Sequence, residues 1–156
     1  MQASYSHTQR GRTVLLIVGA VMIGVFLLVI GILATTSPPP PAYVWLVIIS
    51  SMAIAVSSMW IFSTLRVEID DGALCWYFGR GVPKFSIPLH DIQSARVVKN
   101  PWIYGWGIHF TPSGWLYNVS GRTAVEVTRL NGKRVRIGTD EPDALLAALT
   151  SARRGS

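Results

Sequence analysis

Residues 13–65 read TVLLIVGAVMIGVFLLVIGILATTSPPPPAYVWLVIISSMAIAVSSMWIFSTL, without a single Asp, Glu, Lys, Arg or His. A helix rises about 1.5 Å per residue, and a bilayer core of about 30 Å takes about 20 apolar residues. The stretch is therefore too long for one buried helix and the right length for two membrane spans. Ser37-Pro38-Pro39-Pro40-Pro41 divides it. The predicted spans are residues 13–34 and 42–65, both helical because lipid offers no partner to free backbone polar groups. Prolines cannot continue a helix, so residues 35–41 form a tight connection. The spans must then run antiparallel, with both ends of the hairpin on one side.

Charge assigns the side. Arg10 and Arg12 flank the first span, Arg66 flanks the second, and the connecting loop carries no charge. The positive-inside rule predicts a multi-pass protein of the cell (inner) membrane with both termini cytoplasmic. Residues 1–12 are then an N-terminal tail and 35–41 an extracytoplasmic loop. Tyr43, Trp45, Trp60 and Phe62 lie near the ends of the second span, where Trp and Tyr serve as interfacial anchors. A cleaved signal peptide is the rival reading. It fits poorly, because the first run exceeds an h-region of about 7–15 residues and a second span follows. Asn118-Val119-Ser120 matches a glycosylation acceptor, read here as coincidence in a cytoplasmic domain.

Small residues recur in both spans: Ala20, Gly24 and Gly31 in the first; Ser50, Ala53 and Ser57, or Ser51, Ala55 and Ser58, in the second. Such spacing permits close helix packing. The expectation is that the two spans pack on each other through these faces; a homo-oligomer contact is the sharper alternative. The absence of charge within the spans argues against a transport or proton pathway.

Residues 66–156 carry 12 basic and 8 acidic residues and read as a compact β-rich domain. Residues 65–70 alternate apolar and polar, the mark of a half-buried strand. Asp71-Gly72 supplies a turn, and residues 73–78 read as its partner strand. Further strands are expected at 84–88, 92–98, 108–111 and 115–119. Residues 123–130 and 133–138 flank Asn131-Gly132, a strong hairpin signal. Val125, Val127, Val135 and Ile137 should face inward, and Glu126, Arg134 and Arg136 outward. Thr139 or Asp140 caps a final helix with Glu141 and Asp143 in its first turn and Arg153 and Arg154 at its end. Its stripe of Leu145, Leu146 and Leu149 should seal a curved sheet.

This is the layout of a pleckstrin-homology-like antiparallel barrel of six or seven strands with a C-terminal capping helix. The chain resembles bacterial membrane proteins in which a short N-terminal hairpin precedes such a PH-like domain. The residues that carry the resemblance are Phe85-Ser86-Ile87-Pro88-Leu89-His90-Asp91-Ile92-Gln93-Ser94-Ala95, Gly105-Trp106-Gly107-Ile108 and Val135-Arg136-Ile137-Gly138-Thr139-Asp140-Glu141-Pro142-Asp143-Ala144-Leu145. The resemblance implies a fold and a location. It transfers no catalytic residue and no cofactor.

Chemistry-bearing constellations are sparse. His90, His109 and Cys75 lack the short ligand spacings of zinc sites, and Cys75 is expected as a small buried hydrophobe. Gly-x-Ser-x-Gly is missing; Asp91 should cap its turn, and Asp70-Asp71 belongs to a hairpin. Gly79-Arg80-Gly81 and Gly105-Trp106-Gly107 do not continue into a phosphate loop. No enzyme, cofactor or metal is expected.

Two candidate contact surfaces remain. Arg122, Arg129, Lys133, Arg134 and Arg136 form a basic set on the final hairpin. They serve an anionic lipid headgroup, or are an ordinary solvated face with edge charges that block aggregation. Trp102, Tyr104 and Trp106 reach the membrane interface or a partner, or fill the core of a small domain. The core is the expected place, because a small domain needs large side chains. Nucleic acid is not expected, since aromatic and basic residues do not interleave. The expected function is a membrane-anchored interaction or assembly module. A lipid-headgroup sensor using the final hairpin is the alternative.

Overall fold

The computed structural model describes residues 5–154. Residues 1–4 of the expected tail and 155–156 of the expected domain lie outside the described residues. The elements in chain order are β1 (Tyr5–Arg10), α1 (Arg12–Thr35), α2 (Ala42–Ile61), β2 (Thr64–Asp70), β3 (Ala73–Phe78), β4 (Lys84–Pro88), β5 (Ile92–Lys99), β6 (Gly107–Thr111), β7 (Gly114–Asn118), β8 (Thr123–Arg129), β9 (Arg134–Gly138) and α3 (Pro142–Arg154). Single helical turns occupy Leu89–Asp91 and Trp102–Tyr104.

Two helices, Leu15–Thr35 and Ala42–Ile61, are long and apolar enough to cross a membrane. They are exposed nearly all round. Their least exposed positions are Leu15, Gly19, Met22, Phe26 and Val29 on α1, and Val44, Ile48, Met52, Ala55 and Met59 on α2. These recur at three and four residues, the spacing of a helix–helix seam. The expected small-residue packing is thus corrected. Ala20, Gly24, Gly31, Ser50, Ala53 and Ser57 are exposed; Ala55 joins the seam, and Ser51 and Ser58 border cavities between the two helices. Met22, Phe26, Ile48 and Met52 instead line a cavity of about 240 Å³ between the two helices. The serine hydroxyls donate to carbonyls one turn back, such as Ser57 to Ala53 at 2.7 Å.

The largest departure from expectation is at the N-terminus. The stretch 5–10, read as a tail, is strand β1, paired antiparallel with β2 from Tyr5 opposite Ile69 to Arg10 opposite Thr64. The α1–α2 hairpin is therefore an insertion between two neighbouring strands of one sheet. Gly11 N–H donates to Ser63 O at 2.8 Å where the spans leave the sheet. Both spans begin beside one another with no linker. β1 and the rest of the domain consequently share one side of the hairpin.

One sheet has the order β1-β2-β3-β4 and the other β5-β8-β9-β7-β6. The expectation of six or seven antiparallel strands is corrected to nine strands among the described residues, and β7 and β9 run parallel, with Leu116 opposite Arg136. The two sheets do not close into a barrel. Alternation decides the core: Leu65, Val67 and Ile69 of β2 and Leu74, Trp76 and Phe78 of β3 face Tyr117, Val125, Val127 and Ile137 of the other sheet. Leu145 and Leu149 of α3 cover one opening, as the apolar stripe predicts. Cys75 is not in that core. It lies half-buried on the outer face of β3, between Glu68 and Ser86, because its neighbours Leu74 and Trp76 take the inward positions.

Thr139 Oγ1 accepts from Glu141 N–H at 3.0 Å and shapes the entry to α3. Asp140 does something else: His7 of β1 reaches Asp140 at 2.6 Å and Glu141 at 3.2 Å, tying the inserted strand to the helix.

At the span base, Gly79 has φ +52°, and an added Cβ would lie 2.9 Å from Ile61 O. A side chain there meets both left-handed backbone strain and a collision with α2. We expect Gly79→Val to cost about 1–3 kcal/mol, read as a lower melting temperature in detergent. An unchanged melting temperature would mean that the β3–β4 loop moves freely from α2.

Candidate functional site

Strand direction sorts the loops onto two ends. The ends of β1, β3, β5 and β7 lie with the span bases. The β2–β3, β4–β5 and β8–β9 connections lie at the far end, roughly 20 Å away for a strand of this length. This separates residues that looked like one cluster in the sequence. Arg122, in the β7–β8 loop, is at the base. Arg129, Lys133 and Arg134 are at the far end. Arg136 lies between them.

Arg136 is not a free surface cation. Its Nε donates to Glu126 Oε2 at 2.7 Å, and its Nη1 donates to Asn100 Oδ1 at 3.0 Å. Arg96 donates to the other oxygen of Glu126 at 2.6 Å. Glu126, expected to face solvent, is only 1 % exposed. Its alternation is as predicted, but two arginines close over the outer face of the sheet. Burial alone would raise its carboxyl pKa; hydrogen bonds from Arg136 and Arg96, and their charge, hold it below the ordinary glutamate value. Arg129 is likewise engaged, donating to Asp91 at 2.8 Å. Asp91 is therefore an ion-pair partner and not the cap of its turn. Arg66 pairs with Glu68 at 2.7 Å on the outer face of β2, so its charge is met within the sheet.

A cavity of about 300 Å³ opens toward the far end between Trp76, Phe85 and Ser86 of one sheet and Trp115, Arg129, Lys133 and Arg134 of the other. Its polar lining is rich in donors. Trp76 Nε1 and Arg129 Nε are buried with no hydrogen-bond acceptor. Lys133 and Arg134 have no ion-pair partner among the described residues. Phe110 packs edge-on against Trp115 at 5.4 Å and is otherwise exposed.

The base is different. Trp102 is 79 % exposed and Ile103 72 %. Tyr104 is half-buried, and Trp106 is 43 % exposed. The aromatic segment is thus surface and not core: it forms a helical turn ended by Gly105 at φ +60°. Trp106 sits against the spans, sharing a cavity of about 380 Å³ with Leu15, Val18, Met59 and Phe62. On its other side lies a cavity of about 480 Å³ lined by Asn100, Trp102, Asn118 and Arg122 among others. Asn118 is buried and holds its own turn, bonding Gly121 O and Ser120 N–H.

Of the expected anchors, Tyr43 and Trp45 lie at the loop end of α2 and Trp60 at its base. Arg10 ends β1 and Arg12 starts α1. Arg80 was not singled out in the sequence, yet its guanidinium lies 4.8 Å from the Trp60 ring centroid, a cation–π contact at the span base. Only the fold, which brings the β3–β4 loop to α2, reveals it.

Among the described residues, no group of three His, Cys, Asp or Glu side chains gathers to hold a metal ion. No protein-family model, curated protein or solved structure matches this chain.

Proposed function

We propose that the chain is a membrane-anchored, non-catalytic, PH-like interaction or assembly module of a bacterial inner membrane, with both termini cytoplasmic. The insertion of the hairpin between β1 and β2 carries this reading. Two connections without linkers hold the domain in one orientation, so its far end always faces away from the bilayer. Two facing sheets and one C-terminal helix support the PH-like assignment; the parallel β7–β9 pair departs from it.

The far-end cavity is the partner site. Its unpaired donors and cations suit an acidic, extended segment of a membrane or cytoplasmic protein, running beside the free edge of β4. A headgroup sensor built on the final hairpin fits less well, because Lys133 and Arg134 sit at the end away from the spans.

A photo-crosslinker at Ser86 tests this in cells. We expect adducts with a discrete partner in the wild type and their loss in a Lys133→Glu, Arg134→Glu variant. The same adducts in both chains would reject the far-end site.

A further inference from the structure

We infer that the base cavity between the β5–β6 and β7–β8 loops binds the phosphate of an anionic membrane lipid. The inference rests on the membrane-spanning reading of the hairpin and is independent of the far-end partner site.

Charge is the first argument. Arg10, Arg12, Arg80, Lys99 and Arg122 lie at the base, and none is in an ion pair among the described residues. Four strand arginines away from the base contrast with this: Arg66, Arg96, Arg129 and Arg136 each meet a carboxylate. Unpaired cations beside a span are drawn to an anionic leaflet.

Built polarity is the second. Arg122 Nε donates to Asn100 O at 3.2 Å, which fixes the root of the guanidinium and leaves its Nη groups for a ligand. Asn100 is 2 % exposed. Its Oδ1 accepts from Arg136, which sets the amide the right way round, and its Nδ2 is left buried without an acceptor. A buried donor with no acceptor is costly and calls for a partner. A guanidinium fork beside an amide N–H is a donor set that matches phosphate oxygens.

Location is the third, and it selects a lipid over a free phosphate. Trp106 walls this cavity on one side and the span cavity on the other. Trp102 and Ile103 project beside it, where Trp ordinarily meets the headgroup level. A phosphate held by Arg122 and Asn100 would have its acyl chains beside Ile103, Trp106 and the spans.

The test uses the full chain in nanodiscs of mixed phosphatidylglycerol and phosphatidylcholine, with retained lipid read by native mass spectrometry. Wild type should retain phosphatidylglycerol preferentially. Arg122→Gln should lose about tenfold of that preference, the scale of one charge-assisted hydrogen bond. Arg12→Gln, a base cation outside the cavity, should change it little. Equal losses in both variants would overturn the site in favour of diffuse surface charge. Saturable binding of inorganic phosphate with no lipid retained would overturn the lipid source. Failure of wild type to enter nanodiscs, seen separately by size exclusion, would overturn the spanning reading and this inference with it.

Discussion

A Glu126→Ala variant is expected to lose about 3 kcal/mol of stability, the lower end of the cost of breaking a buried ion pair. The reason lies in what remains. Arg136 is 11 % exposed and would keep its charge in a closed site with only Asn100 beside it. Arg96 is 66 % exposed and can turn to water, which holds the loss at the lower end. The pair is not itself a large source of stability. Replacing Glu126 and Arg136 together by leucine should recover most of the loss, since apolar replacement of a whole buried pair is often neutral or better. Chemical denaturation of the three chains in one detergent decides it. A double variant no better than Glu126→Ala would show that the network is needed as hydrogen bonds, through Asn100, and not as balanced charge.

The same carboxylate gives a pH signature. Its folded pKa is depressed below 4.5. Its contribution is therefore complete above the unfolded value and is lost as pH falls through the lower folded one. The stability gap between wild type and Glu126→Gln should be constant near neutrality and shrink once pH drops below about 4.5. A gap that stays constant into acid would place the Gln effect in shape and not in charge.

How much of this was legible follows from what each residue advertises. The two long apolar helices were, because length and apolarity are both local properties of the sequence. The boundaries of β3 and β4 and the Asn131-Gly132 turn were, because alternation and turn chemistry are local too. β1 was not. Ser6-His7-Thr8-Gln9-Arg10 has no apolar alternation, and its inward residue Gln9 is buried through a bond to Ser120 O. Its partner lies beyond the whole hairpin in sequence. Glu126 misled because a carboxylate between valines reads as a solvent face, and the arginines that cover it come from β5 and β9. Trp102, Tyr104 and Trp106 misled in the opposite way. Large aromatics in a small domain read as core, and only the position of their loop beside the spans explains their exposure. The far-end and base sets of arginines were visible as residues but not as two places.

The insertion of the hairpin makes a second large effect testable. Residue 11 faces residue 63 across the β1–β2 ladder, with Gly11 N–H bonded to Ser63 O. Replacing residues 12–62 by Asn-Gly would turn the two strands into an ordinary two-residue hairpin. We expect that chain to be a folded, monomeric domain. A chain that simply begins at residue 63 should aggregate, although it keeps every residue after the spans. It lacks the six cross-strand pairs of β1. At roughly 0.2–1 kcal/mol each these come to a few kcal/mol, a large share of the roughly 5–15 kcal/mol that holds a domain. It also loses the ties from His7 to Asp140 and Glu141. The joined chain keeps β1 and gives up the contacts at the helix bases: Phe62, whose ring meets Phe78 edge-on at 5.1 Å, a contact worth about 1 kcal/mol, the Trp60–Arg80 contact, and the cover that Leu15, Val18 and Met59 give Trp106. Size exclusion and amide dispersion in NMR spectra separate the two chains. If the chain beginning at residue 63 is as monomeric and as well dispersed as the joined one, β1 contributes little, and the domain is a plain appendage of the second span.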